Sequence, residues 1–121
     1  SLAVELAIEK ITDEEIAHLE EYIEQIKTAS EPEAASKYAY LFQHELAVLS
    51  GNTILPLIFY SFQTPILALW NRFCILHGIE SLYKNNSVLC SYIKKRDAQS
   101  AKRWISSSIQ DTITGNRQIY Y

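Results

Sequence analysis

The sequence predicts an all-α fold, an antiparallel bundle of about six to seven helices, on three observations. Apolar residues recur at spacings of three and four, the period of an amphipathic helix. Several of these runs open on a Ser, Thr or Asp that can cap a helix. Only 3 Gly and 3 Pro occur in 121 residues, too few turn formers for an all-β chain. That length supports one core, so residues 1–121 are expected to form one domain.

Leu2 to Lys10 reads as the end of a helix, with apolar positions at Leu2, Leu6, Ile8 and Val4. Beginning inside a helix suggests that a further segment belongs upstream. Thr12 then fits an N-cap, with Glu15 three residues on to complete a capping box. Asp13 and Glu14 favour the positive end of the helix dipole. Ile16, Leu19, Ile23 and Ile26 form one apolar face of a helix running to about Ala29.

Ser30 repeats the capping device with Glu33, and Pro32 is tolerated in the first turn. The next helix carries Tyr38, Phe42, Leu46 and Leu49 and ends at Ser50-Gly51-Asn52, where Gly51 can take the left-handed conformation. Asn52 or Thr53 is expected to cap a long, nearly all-apolar helix that Pro65 must kink or break before Gly78. A helix from about Ser81 to Lys95 follows. Asp97 caps the last helix, which carries Ala101, Trp104, Ile105, Ile109 and Ile113 and stops at Gly115.

Between Glu45 and Arg72 no charged residue occurs, a stretch long enough to span a bilayer. Ser50-Gly51-Asn52 and Gln63-Thr64-Pro65 interrupt it, and no basic cluster flanks it, so a buried central helix and no membrane span is expected. The first residues lack the pattern of a secretory signal. Cys74 and Cys90 lie in apolar helical patterns, as buried thiols of a reducing compartment do, and a cytoplasmic location is expected.

Net charge is -3, divided unevenly: residues 1–45 carry -8 and residues 46–121 carry +5. The acidic half argues against nucleic-acid binding by the domain as a whole. The basic half can face an anionic ligand or be an ordinary solvated surface. Phosphate loops, nucleophile elbows and zinc-protease motifs are absent, so no catalytic role and no cofactor are expected. His18, His44 and His77 have no companions at metal-ligand spacing.

Phe42-Gln43-His44-Glu45-Leu46-Ala47-Val48-Leu49-Ser50-Gly51-Asn52 closely resembles the signature of the ligand-binding C-terminal domain of FadR-type GntR regulators. In that family a helix bearing Asp-x-x-Phe-His-x-x-Leu-Ala ends in Ser-Gly-Asn. Phe42, Leu46, Ala47, Ser50, Gly51 and Asn52 match it. The helix through Val88, Leu89 and Ile93, followed by Asp97 and Ala101, extends the likeness, as does the acidic opening Ile11 to Glu15.

The resemblance implies a FadR C-terminal-domain-like bundle that senses an effector, forms a homodimer, and modulates DNA binding by a winged helix-turn-helix domain upstream, outside this chain. Many such domains hold a divalent metal with one Asp and three His. Those four positions fall here on Ala39, Gln43, Asn86 and Ser108, which cannot supply that ligand set. The fatty acyl-CoA-responsive member of the family also lacks the metal set. The likeness to it extends to Tyr83, Ser87 and Leu89-Cys90-Ser91, and to the basic-aromatic run Lys102-Arg103-Trp104.

A metal-free pocket follows, in which Gln43, Asn86, Trp104 and Ser108 contact a small carboxylate or acyl-CoA and Arg103 is the cationic anchor. Phe59, Phe62, Trp70 and Phe73 are available for its apolar side. Two alternatives stay open: a fully packed dimerisation module that binds nothing, and a metal-dependent carboxylate sensor.

Overall fold

The computed structural model describes residues 8–51 and 53–114, with side chains as far as Ser107. Residues 8–10 are helical, and six helices follow: α1 (Asp13–Thr28), α2 (Pro32–Leu49), α3 (Ile54–Ser61), α4 (Gln63–His77), α5 (Ile79–Lys94) and α6 (Ala98–Thr114). The predicted all-α bundle is therefore the observed architecture.

Helix α1 begins where its chemistry says it must. Thr12 Oγ1 accepts from the Glu15 amide at 3.1 Å, and Glu15 Oε1 accepts from the Thr12 amide at 2.9 Å. The reciprocal pair satisfies two amides that have no partner inside the helix. Its predicted face is the buried one: Ile16, Leu19, Ile23 and Ile26 all enter the core.

The second predicted capping box does not form. Glu31 is the N-cap of α2, and it makes no side-chain cap bond. Pro32 is the cause: the ring disfavours helical backbone at the preceding residue, and Glu31 is extended at φ -125° and ψ 143°. The helix thus starts one residue later than a Ser30 cap would require.

Helices α1, α2, α4 and α5 form a ring, each packed on the next, and α2 also meets α5 across the diagonal. Their directions follow from contacts between opposite ends. Glu20 of α1 pairs with Lys94 near the end of α5, and Lys27, late in α1, lies over the ring of Tyr83, early in α5. Those two helices are antiparallel. Inside the ring sit Leu19, Ile26, Ala35, Ala39, Phe42 and Ile93, each fully buried. Ile8 and Ile11 close one end of this core. Helix α6 packs on α5 and buries Ala101.

The long apolar stretch departs most from expectation. It is two helices, α3 and α4, bent by 71° at Phe62, and neither alone is long and apolar enough to cross a membrane. Pro65 lies in the first turn of α4, where its missing N–H costs no helical bond. The stretch is not a buried central helix either. No residue of α3 is buried, and Ile54, Leu57, Ile58 and Tyr60 are exposed. Only Phe73 and Cys74 of α4 are buried.

Two glycines do what the sequence asks of them. Gly51 turns the chain after α2 at φ 75°, and Gly78 joins α4 directly to α5 at φ 92°. Helix α5 therefore starts at Ile79, earlier than the expected Ser81. Asp97 caps α6 as predicted, its carboxylate accepting from the Ser100 amide at 3.1 Å and the Ser100 hydroxyl at 2.7 Å. The expected stop at Gly115 lies outside the described residues.

Candidate functional site

The diagonal contact between α2 and α5 carries a polar pair inside a largely apolar ring. Gln43 Nε2 donates to Asn86 Oδ1 at 3.0 Å, and Asn86 Nδ2 donates to the Leu82 carbonyl at 2.9 Å. Asn86 is only 2% exposed, so both ends of its amide need such partners. The bond to Leu82, one turn back on the same helix, fixes which end of Asn86 is the nitrogen. Ala39, one turn before Gln43 on α2, is fully buried. Three of the four positions that the family resemblance assigns to metal ligands thus lie on the two facing helices, and Gln43 and Asn86 touch.

The donor chemistry there does not suit a divalent ion. Two neutral amides bond to each other and a methyl group stands where a carboxylate would be needed. Among the described residues no three His, Cys, Asp or Glu side chains gather as a metal site.

The other candidates are on α6. Trp104 is half-buried and packs against the core. Arg103, one residue earlier, is turned about 100° around the helix and is exposed. It lines an open groove of about 500 Å³ with Glu9, Ala98, Gln99, Lys102 and Ser106. The structure therefore brings Gln43 and Asn86 together and places Arg103 on an outer groove beside the N-terminal helical turn. The Ser108 side chain lies outside the described residues. Of the apolar candidates, Phe73 is buried, Trp70 packs against the core, Phe59 is half-buried and Phe62 is 56% exposed.

The histidines take structural roles. His44 stacks on Tyr40 with ring centroids 5.7 Å apart and meets the edge of Phe59 at 6.5 Å. The Tyr40 hydroxyl donates to the Phe59 carbonyl at 3.1 Å, tying α3 to α2. Burial raises the Tyr40 phenol above its usual value, and nearby Tyr60 adds to the effect. His18 meets Tyr22 edge-on and His77 lies against Phe73.

Both cysteines are free and buried, as predicted. Burial pushes the Cys90 thiol up to about 11, Glu20 adds to the rise and Lys94 opposes it. Cys74 is raised by burial too, against a hydrogen bond with Ser36. Neutral, hidden thiols of this kind are poor nucleophiles.

The uneven charge resolves in part across α1 and α5. Acidic α1 faces the basic end of α5 and the turn after it through Glu20–Lys94 at 3.3 Å and Asp13–Arg96 at 3.2 Å. These pairs are solvent-exposed and each is worth little. Arg96 does more than pair a charge, since its guanidinium also donates to the carbonyls of Ile8 and Ile11. Sequence reasoning missed it, and the signal was an Arg set between a helix end and Asp97, the next helix's cap.

No curated protein and no solved structure matches the chain significantly. The FCD domain model matches residues 1–111, nearly the whole chain. With the helical ring, the Ser50-Gly51 turn and the matched span together, the chain belongs to the FCD domain family, the C-terminal domain of GntR-family regulators.

Proposed function

We propose that this chain is the effector-sensing and dimerisation domain of a cytoplasmic transcription regulator, working with a winged helix-turn-helix domain upstream and binding a small organic acid or acyl-CoA without a metal. FCD domains are regulatory and not catalytic. The observation that carries the metal-free reading is the Gln43–Asn86 amide pair at the diagonal of the ring. Amides can donate to and accept from a carboxylate or thioester carbonyl, so the pair can exchange its mutual bond for bonds to an effector. Trp104 supplies a flat apolar wall and Ser108 a hydroxyl. Arg103, on the outer groove of α6, supplies a cation that attracts an anionic effector.

Exchange of the Gln43–Asn86 bond for effector contacts would change how α2 packs on α5. An effector that prefers one packing shifts the population toward it. In a two-fold dimer that shift alters the spacing of two DNA-binding heads.

Heating the purified protein with a panel of acyl-CoAs and small organic acids, with and without chelator, tests this. A ligand of the native state raises the melting temperature. A rise that persists in chelator is expected, and no rise with any member sinks the reading. A second reading has its own support. Asn86 already has partners at both ends of its amide, and Ala39, Phe42 and Ile93 on the same two helices are fully buried, as in a packed dimerisation module that binds nothing.

A further inference from the structure

We infer that Arg96 is a latch that mechanically couples the start of α6 to the N-terminal segment at residues 8–13. Three observations converge on it. Arg96 is the one non-glycine residue with positive φ among the described residues, at 57°. It occupies the position after the α5 C-cap where glycine is usual, inside a complete two-bond turn. The Arg96 amide donates to the Ile93 carbonyl at 2.9 Å and the Asp97 amide to the Tyr92 carbonyl at 2.9 Å. A side chain held in that conformation is strained, so its retention needs compensation elsewhere.

The guanidinium supplies it. Nη1 donates to the carbonyls of Ile8 and Ile11, and Nη2 donates to Asp13 Oδ1 at 3.2 Å. Those carbonyls stand where the helical turn at residues 8–10 gives way to α1. Carbonyls at a helix end lack partners and favour a cation. Arginine suits the place because its planar fork spreads donors over separate nitrogens and so reaches acceptors on both sides; lysine gathers its donors on one nitrogen, and glycine has none in its side chain.

The next residue completes the device. Asp97 caps α6 through Ser100, so one dipeptide holds the end of the N-terminal turn on one side and the first turn of α6 on the other. Glu9 of the N-terminal turn also lines the groove with α6 residues Gln99, Lys102 and Arg103. Movement at the start of α6 is transmitted to residues 8–13 through Arg96. That this tie serves as a signal path rests on the sensing role proposed above; the tie itself does not.

Hydrogen exchange on the whole chain tests the tie without any ligand, so its outcome is separate from that of the ligand screen. Arg96→Gly removes the guanidinium while relieving the backbone strain, and the fold should hold. Exchange in residues 8–13 is expected to rise at least about tenfold while the rest of α1, α2 and α5 stay protected. Asp97→Ala removes the α6 cap and is expected to speed exchange both in the first turn of α6 and in residues 8–13. In the Arg96→Gly background Asp97→Ala should add nothing at residues 8–13. Unchanged exchange at 8–13 in Arg96→Gly overturns the inference. So does an equal loss of protection in all helices, or a cap effect at 8–13 that survives without the guanidinium.

Discussion

Gln43 on α2 and Asn86 on α5 share a hydrogen bond of 3.0 Å across the diagonal of the helical ring. Removing one partner and removing both should have different consequences. Asn86→Ala leaves a cavity and strips the acceptor from Gln43, and a loss of about 1–3 kcal/mol is expected. Replacing both with leucine leaves no amide in need of a partner and should cost less than the single change. Urea denaturation of the three proteins decides it. A double variant weaker than Asn86→Ala would mean that the pair is not an isolated polar contact.

The Asp97 carboxyl is held below its ordinary value chiefly by its two hydrogen bonds with Ser100, with Arg103 and Lys95 adding to the effect. A carboxyl whose folded value is depressed stabilises the fold above its unfolded value, 3.8, and that contribution fades as pH falls through the lower folded value. Protection in the first turn of α6 should therefore hold at pH 5 and drop only on acidification below 3.8. In Asp97→Ala the same amides should be less protected throughout, with that pH step gone.

Much of the fold was legible because its signals are local. The spacing of Ile16, Leu19, Ile23 and Ile26 alone predicts one face, and all four are buried. The Thr12–Glu15 box and the Asp97 cap depend on residues three apart, and both form. The Ser30 box failed because another local rule, the effect of Pro32 on Glu31, outranks a capping preference. The long apolar stretch misled for a different reason. Hydrophobicity reports a preference for leaving water and does not say which surface does the covering, and within one chain α3 stays exposed. At the site, the facing of Gln43 and Asn86 came from aligning a family pattern, whereas Arg96 reaches 88 residues back along the chain to Ile8, beyond any local rule.

Cys90 offers a second titration of opposite sign. Its thiol is raised to about 11, so the neutral form is favoured in the fold. That contribution is present below the unfolded value, 9.0, and is lost as pH rises from there toward 11. At pH 8 the shift alone lowers the thiolate fraction about a hundredfold, and burial adds to the protection. Alkylation of Cys74 and Cys90 by iodoacetamide should be slow in the native protein and rapid in denaturant. Fast native labelling at either residue would contradict their burial.

The exposed face of α3 bears on the proposed homodimer. Ile54 is 64% exposed, Leu57 61% and Tyr60 69%, and together they form an apolar surface larger than scattered single residues would make. None is needed inside the core, so Leu57→Lys should leave the helical content and melting of the monomer nearly unchanged. Sedimentation velocity should show the parent chain as a dimer and the variant shifted toward monomer. A parent chain that stays monomeric at tens of micromolar would remove α3 as the dimer face.

The geometry around the amide pair also makes a constructive prediction. Ala39 and Gln43 are one turn apart on α2, and Asn86 touches Gln43 from α5, so these positions converge on one point of the ring. Three protein ligands and a water satisfy zinc. Ala39→Asp, Gln43→His and Asn86→His together should therefore build an ion site where the parent chain has none of the required donors. Without metal the triple variant should melt lower than the parent, because it buries a carboxylate with no partner. Zinc in excess should recover several degrees, since an ion bound only by the native state stabilises in proportion to the logarithm of its concentration over Kd. Chelator should reverse the recovery, and the parent should respond to neither. A folded triple variant indifferent to zinc would show that the three side chains do not point at a common centre, and the alignment of this chain with the family's metal positions would fall with it.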